Sequence, residues 1–140
     1  MKIRAVERSD ADAIVDLWRV IFPEYNDPAK PQRDPRANIE RKLAFGDGLF
    51  WLATLDARIV GTTMAGYDGH RGWIYSIGVH PAHRKTGIGR ALLAHSEAAL
   101  AQRGCPKINL QVMADNTGAV AFWQATGYAR DAVVSLGKRL

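Results

Sequence analysis

The chain has 140 residues, of which 47% are hydrophobic and 24% charged. That is the size of one domain with apolar material for a single core, and it excludes a disordered chain, a collagen-like repeat and a coiled coil. Lys and Arg number 19 against 14 Asp and Glu, a formal charge of +5. This favours anionic partners, yet the basic residues are scattered without a run of five, so a solvated surface is expected rather than a nucleic-acid partner. The longest uncharged apolar stretch, Gly48 to Leu55, is far below the ~18 residues that span a bilayer. Lys2, Arg4, Glu7, Arg8 and Asp10 interrupt any signal-peptide core, so a cytoplasmic protein without a membrane partner is expected. The one cysteine, Cys105, makes no internal disulfide and by itself no zinc site, and no metal is expected.

In chain order, Lys2 to Val6 alternates as a short strand, and Ser9 opens a helix with Asp12 in a capping-box-like arrangement and Ile14, Leu17, Trp18 and Ile21 at helical spacing. After a breaker-rich stretch ending at Pro35, a second helix is predicted over Arg36 to Phe45, closed by Gly46 and Gly48. Leu49 to Leu55 and Arg58 to Ala65 read as a hairpin around Asp56-Ala57. A glycine-rich turn, Gly66 to Gly72, leads to a third strand of the group, Gly72 to His80. Pro81 ends it, and a helix follows from about Ile88 to Arg103, closed by Gly104. A strand from Ile108 to Met113, a short helix capped by Asp115 or Asn116 and ended by Gly127, and a last strand from Ala129 to Lys138 complete the order βααβββαβαβ. No repeat or domain boundary is visible, so residues 1–140 are expected to form one domain, a mixed sheet with helices on both faces.

The segment Val79 to Arg90 carries the most chemistry. It joins a strand end to a helix start, where successive backbone N–H groups and the helix dipole attract an anion. Gly87 and Gly89 let phosphate oxygens approach without a Cβ in the way, and Arg84, Lys85 and Arg90 add full charges. An ordinary glycine-rich loop with a basic rim fits the same residues. Leu92 stands where a dinucleotide fingerprint needs its third glycine, and no Gly-Lys-Ser or Gly-Lys-Thr occurs, so neither NAD nor ATP is favoured.

Arg84-x-x-Gly87-x-Gly89 after Ile77-Gly78-Val79-His80-Pro81, followed by Asn116-x-x-Ala119-x-x-Phe122-Trp123-x-x-x-Gly127-Tyr128, resembles the GNAT superfamily of acetyl-CoA dependent N-acetyltransferases over the whole chain. Gly66 to Gly72, Arg103 to Lys107 and Ser135 to Arg139 resemble its small bacterial YpeA-like subgroup. The resemblance implies an α/β fold with a mixed, mostly antiparallel sheet and a splayed strand pair holding the coenzyme. It also implies that Ile77, Gly78 and Val79 pair with the pantetheine arm, that Lys85, Thr86, Gly87, Ile88, Gly89 and Arg90 hold the pyrophosphate, and that Arg84 fills the family's Arg or Gln position. Asn116 matches a family asparagine near the pantetheine and serves equally as a helix N-cap.

The same resemblance implies direct transfer to a small-molecule or peptide amine within a ternary complex. Homodimers are frequent in the family. Many members protonate the departing thiolate with a tyrosine where this chain has Trp123, whose indole N–H is no acid. Asn116, Trp123 and Tyr75 are therefore the candidate catalytic residues, Tyr75 and Ser76 being the polar groups on the strand where the family often has a glutamate. Asp68 and His70 are further base candidates, with turn chemistry the other reading of Asp68. His80 and His83 are expected to line the loop and His95 to pack on its helix, while Cys105 has no evident base. Phe22, Pro23 and Tyr25 precede the region that lines the acceptor pocket in this family. An acyl-CoA-binding module with little activity is the alternative reading.

Overall fold

The computed structural model describes all 140 residues. They fall into two compact units, Met1–Leu110 and Gln111–Leu140. The first is built as β1 (Lys2–Ala5), α1 (Ala11–Ile21), α2 (Pro35–Phe45), β2 (Phe50–Leu55), β3 (Arg58–Tyr67), β4 (Gly72–Val79), α3 (Ile88–Gln102) and β5 (Ile108–Leu110). Its strands form one sheet in the order β1-β2-β3-β4-β5, antiparallel throughout except for the parallel β4–β5 pair. No helix is long and apolar enough to cross a membrane.

Strand alternation divides the side chains between two cores. Phe50, Leu52 and Met64 join Val6, Ile14, Val15 and Trp18 of the α1 side and Ile39 of α2, and the buried Trp18 indole donates to Thr62 Oγ1 at 2.8 Å. On the other face Ala53 and Val60 pack with Ile88 and Leu92 of α3, and the Thr63 and Ser96 hydroxyls meet at 3.1 Å. A Cβ on Gly61 would lie 3.0 Å from a Leu92 methyl, so a glycine there lets α3 seat closely on the sheet.

The first helix starts differently from the expectation at Ser9. Asp10 accepts the Glu7 backbone N–H at 2.8 Å and a two-pronged Arg4 guanidinium at 2.8 Å on each oxygen, which draws Arg8–Asp10 into a 3₁₀ turn ahead of α1. Asp12 is engaged instead by Arg36. The Arg4 hydrogen bonds, opposed by burial and aided by the Glu7 amide, hold Asp10 below the ordinary carboxylate range. A depressed native pKa gives stability that is present above the unfolded pKa and lost as the pH falls through the native one. Below about pH 4 the melting temperature should therefore fall, and Asp10→Asn should flatten that part of the pH–stability curve in a calorimetric series.

The expected hairpin is present, with Asp56 and Ala57 at φ +48° and +64°, the left-handed pair that a two-residue turn demands. Asp34 caps α2 by accepting from Ala37 N–H, and Gly46 ends it at φ +74°. Two expectations fail. The strand after α3 ends at Leu110 instead of Met113, and Ala129 to Lys138 forms no strand. The alternation of that tail buries nothing: Val133, Val134 and Leu136 are exposed, and period two makes a strand only where a ladder and a covering face exist. The second unit consists of α4 (Thr117–Ala125) and irregular backbone, with Gln111 donating to the Ser135 hydroxyl.

Candidate active site

Strand β4 pairs with β3 along its length, but with β5 only through Gly72, Trp73 and Ile74 opposite Ile108, Asn109 and Leu110. Beyond Ile74 its outer edge runs on through Tyr75, Ser76, Ile77, Gly78 and Val79 without a strand partner. Met64 faces Ser76 while Ala65 faces Ile74, so Tyr75 is the extra residue of a bulge, a device that re-aims a side chain and ends pairing. Gly78 is set against α1: a Cβ there would come within 2.6 Å of an Ile21 methyl.

The strand delivers the chain into the basic loop. His80 Nδ1 accepts from Ala82 N–H at 3.1 Å, the Thr86 hydroxyl donates to the His83 carbonyl, and Arg84 Nε donates to Val79 O at 3.4 Å. Lys85 at φ +61° and Gly87 at φ +88° turn the backbone into α3. Six consecutive backbone N–H groups, from Lys85 to Arg90, donate to no acceptor in the chain. The side chains of Arg84, Lys85 and Arg90 are exposed and make no ion pair. Such a row of amides with surrounding positive charge is chemically an anion receptor. His80 and His83 face each other in this loop with ring centroids 5.9 Å apart.

A cavity of about 590 Å³ opens beside the bulge, lined among others by Phe22, Glu24, Tyr25, Arg41, Tyr75 and Ser76. The Tyr75 ring lies over Gly66, where a Cβ would be 2.8 Å from Cε2. Burial first, and then the Asp68 and Asp47 charges, push the Tyr75 hydroxyl above its ordinary pKa, so at neutral pH it is a phenol that donates hydrogen bonds and not a base. Asp68 also lines the cavity, but its Oδ1 accepts from His70 N–H and Arg71 N–H at 2.7 Å each. The Arg71 and His70 amides lower its pKa, which is the turn role weighed for it from sequence. Lys42 donates to Asp47 at 2.8 Å and to the Ala65 carbonyl at 2.5 Å. The sequence pointed to Phe22, Tyr25, Tyr75 and Ser76, but not to Glu24, Arg33, Lys42 or Asp47, which reach the cavity from α2 and the segments on either side of it; no local signal marked them.

The other candidates lie elsewhere. In the second unit Asn116 Oδ1 accepts from Ala119 N–H at 3.1 Å, as an N-cap. Trp123 is buried, with Phe122 and Tyr128 edge-on to its ring at 5.2 and 5.1 Å. Cys105 donates its thiol to the Lys107 carbonyl at 3.3 Å. His95 meets Trp51 edge-on at 5.2 Å but is exposed, because the face of α3 turned to the sheet is that of Ile88, Leu92, Ser96 and Leu100.

The five-stranded sheet, the free β4 edge and the amide row make up an α/β fold with an anion receptor at one strand end. The chain belongs to the acetyltransferase (GNAT) family, whose sequence model matches residues 11–128. It is 43% identical over 141 residues to an acetyltransferase of Sodalis glossinidius, covering 100% of this chain and 96% of that protein. It is 42% identical over 140 residues to one of Pectobacterium atrosepticum, with the same coverage. Among solved structures, the PaiA N-acetyltransferase of Thermoplasma acidophilum in complex with coenzyme A shares the fold with a TM-score of 0.84 at 15% identity, over 95% of this chain and 92% of that one. The Escherichia coli ribosomal-protein-S18-alanine N-acetyltransferase does so at 0.74 and 22%, over 90% and 76%.

Proposed function

We propose that this acetyltransferase uses acetyl-CoA to acetylate a primary amine by direct transfer, as a YpeA-like member of its family with residues 1–140 as one catalytic domain. The observation that carries the reading is the row of six unpaired amides from Lys85 to Arg90 at the end of a strand whose edge is free from Tyr75 onward. These residues fit the coenzyme: the amides with Arg84, Lys85 and Arg90 receive its pyrophosphate, and the Ile77–Val79 edge pairs with its pantetheine arm. Acetyl-CoA supplies a thioester whose carbonyl carbon bonds to the amine nitrogen as the C–S bond breaks, the amine losing one proton and the thiolate gaining one.

Within the chain, Tyr75 holds its proton and has one hydroxyl hydrogen to offer at the bulge, while Asn116 caps α4 and orients its first turn. Ionised Asp68, with its oxygen committed to two amides, is a weak proton acceptor. Trp123 has no acid to offer at the position where its family often has tyrosine.

Titration calorimetry should show saturable acetyl-CoA binding accompanied by a rise in melting temperature, because the ligand binds the folded loop alone. Absence of heat at millimolar coenzyme overturns the proposal. Trp123→Tyr places a phenol on α4. Thiol release should rise by less than the ~10²- to 10⁴-fold of a well-aimed general acid. The melting temperature should drop as the ring between Phe122 and Tyr128 shrinks. An unchanged rate with a lower melting temperature takes Trp123 off the reaction path.

A further inference from the structure

The charges around the cavity are not all paired with one another. Three cations line it, Arg33, Arg41 and Lys42, and three carboxylates, Glu24, Asp47 and Asp68. Lys42 and Asp47 satisfy each other at 2.8 Å, and the second Asp47 oxygen accepts the Leu49 N–H at 3.0 Å. Asp68 is tied to the His70 and Arg71 amides. What remains is two guanidiniums and two carboxylates: Arg33, Arg41, Glu24 and Asp68 make no ion pair within the chain, and the Asp68 charge is held by its two amides while Glu24 is committed to none.

The two arginines come from the α2 side of the cavity, Arg33 just before the Asp34 cap and Arg41 on the helix itself. Asn38, Lys42 and Phe45 line the cavity with Arg41, the spacing of one helical face. Opposite them is the β-sheet wall of Met64, Gly66, Tyr75 and Ser76. The remaining lining is aromatic, from Phe22, Tyr25, Phe45 and Tyr67.

Resting on the acetyltransferase reading, we propose that the acceptor is a zwitterion: a small amine that carries its own carboxylate, held by Arg33 and Arg41, with its ammonium drawn to Glu24 before it is deprotonated for transfer at β4. A guanidinium matches a carboxylate in charge and in planar donor geometry, and either arginine can supply it. A free amine with no anion would leave both exposed arginines of the site without a ligand contact. A free amino acid and a dipeptide share this chemistry, and the aromatic lining suits an apolar side chain on either.

The test follows thiol release at saturating acetyl-CoA with L-phenylalanine and phenylalanylglycine against their carboxamides and against phenethylamine. The carboxylates should exceed their amides in kcat/KM by roughly tenfold or more, the size expected of a charge-assisted contact at a partly exposed site. The amino acid outrunning the dipeptide assigns the source to free amino acids, and the reverse order to peptides. In Arg41→Gln and Arg33→Gln the acid-to-amide ratio should fall toward one, mainly through KM, with the fold checked by circular dichroism. Amides or phenethylamine reacting as well as the acids overturns the proposal. So does a ratio unchanged in both variants, or no release from any carboxylate by enzyme that binds acetyl-CoA in the calorimeter. Loss of coenzyme binding itself marks failure of the underlying reading and removes both.

Discussion

Gly89→Val should weaken acetyl-CoA binding by at least about a hundredfold, the scale of losing several charge-assisted N–H contacts to a phosphate at once. Gly89 is the second residue of α3 and is not among the positive-φ glycines. A valine there meets no backbone strain, and its helix propensity is about equal to that of glycine or slightly better. On the coenzyme reading the branched side chain instead takes space where phosphate oxygens approach the amides of Lys85 to Arg90, all of which lack an acceptor in the chain. Stability should therefore change by less than about 1 kcal/mol while the calorimetric affinity collapses. Gly87→Val is a useful contrast. At φ +88° the substitution is strained whatever the space around it, so that variant should lose stability and affinity together. Unaltered affinity in Gly89→Val at matched salt would return the loop to an ordinary basic turn.

Trp18→Ala should cost about 3–5 kcal/mol, the usual range for deleting a fully buried large aromatic side chain. Trp18 is inaccessible to solvent, stacks on Tyr25 with ring centroids 5.7 Å apart, and meets Phe22 edge-on at 6.0 Å. Removing its indole also strips the donor from the buried Thr62 hydroxyl, which adds the cost of an unsatisfied polar group. Trp18→Phe refills most of the volume but not that hydrogen bond, so it should lie between the parent and the alanine variant. Denaturant midpoints at constant m-value measure both. Phe22 and Tyr25 line the cavity proposed to take the acceptor and rest on Trp18, so KM for the acceptor should rise in Trp18→Ala even at temperatures where the variant is folded. Destabilisation below about 1 kcal/mol would mean that the neighbouring rings close the gap.

Much of this architecture was legible in local sequence, for identifiable reasons. Ile14, Leu17, Trp18 and Ile21 repeat at helical spacing because one side of α1 is buried, and Gly46, Asn116 and Gly127 mark helix ends because cap geometry depends on the residue at that position. The loop from Arg84 to Arg90 was equally visible, since an anion receptor of backbone amides needs its glycines and cations consecutive in the chain. The tail from Ala129 to Lys138 shows the limit: its alternation matches a strand, yet whether alternate residues meet a sheet is decided by the rest of the molecule. The start of α1 was misread for a similar reason, because Arg4 claims Asp10 from the preceding strand.

The sequence by itself determined the order of the elements up to α4, the glycine-rich basic loop between β4 and α3, and the family. Only the tertiary structure decided where β4 leaves β5, that Tyr75 is bulged over Gly66, and that Arg33, Arg41, Glu24 and Asp68 are the charges without an ion pair around one cavity. Local conformation follows from steric and hydrogen-bonding terms between residues a few positions apart. The cavity is assembled from side chains up to about fifty positions apart in the chain, from Phe22 to Ser76. The charge each of them presents depends on which partners the fold has already supplied.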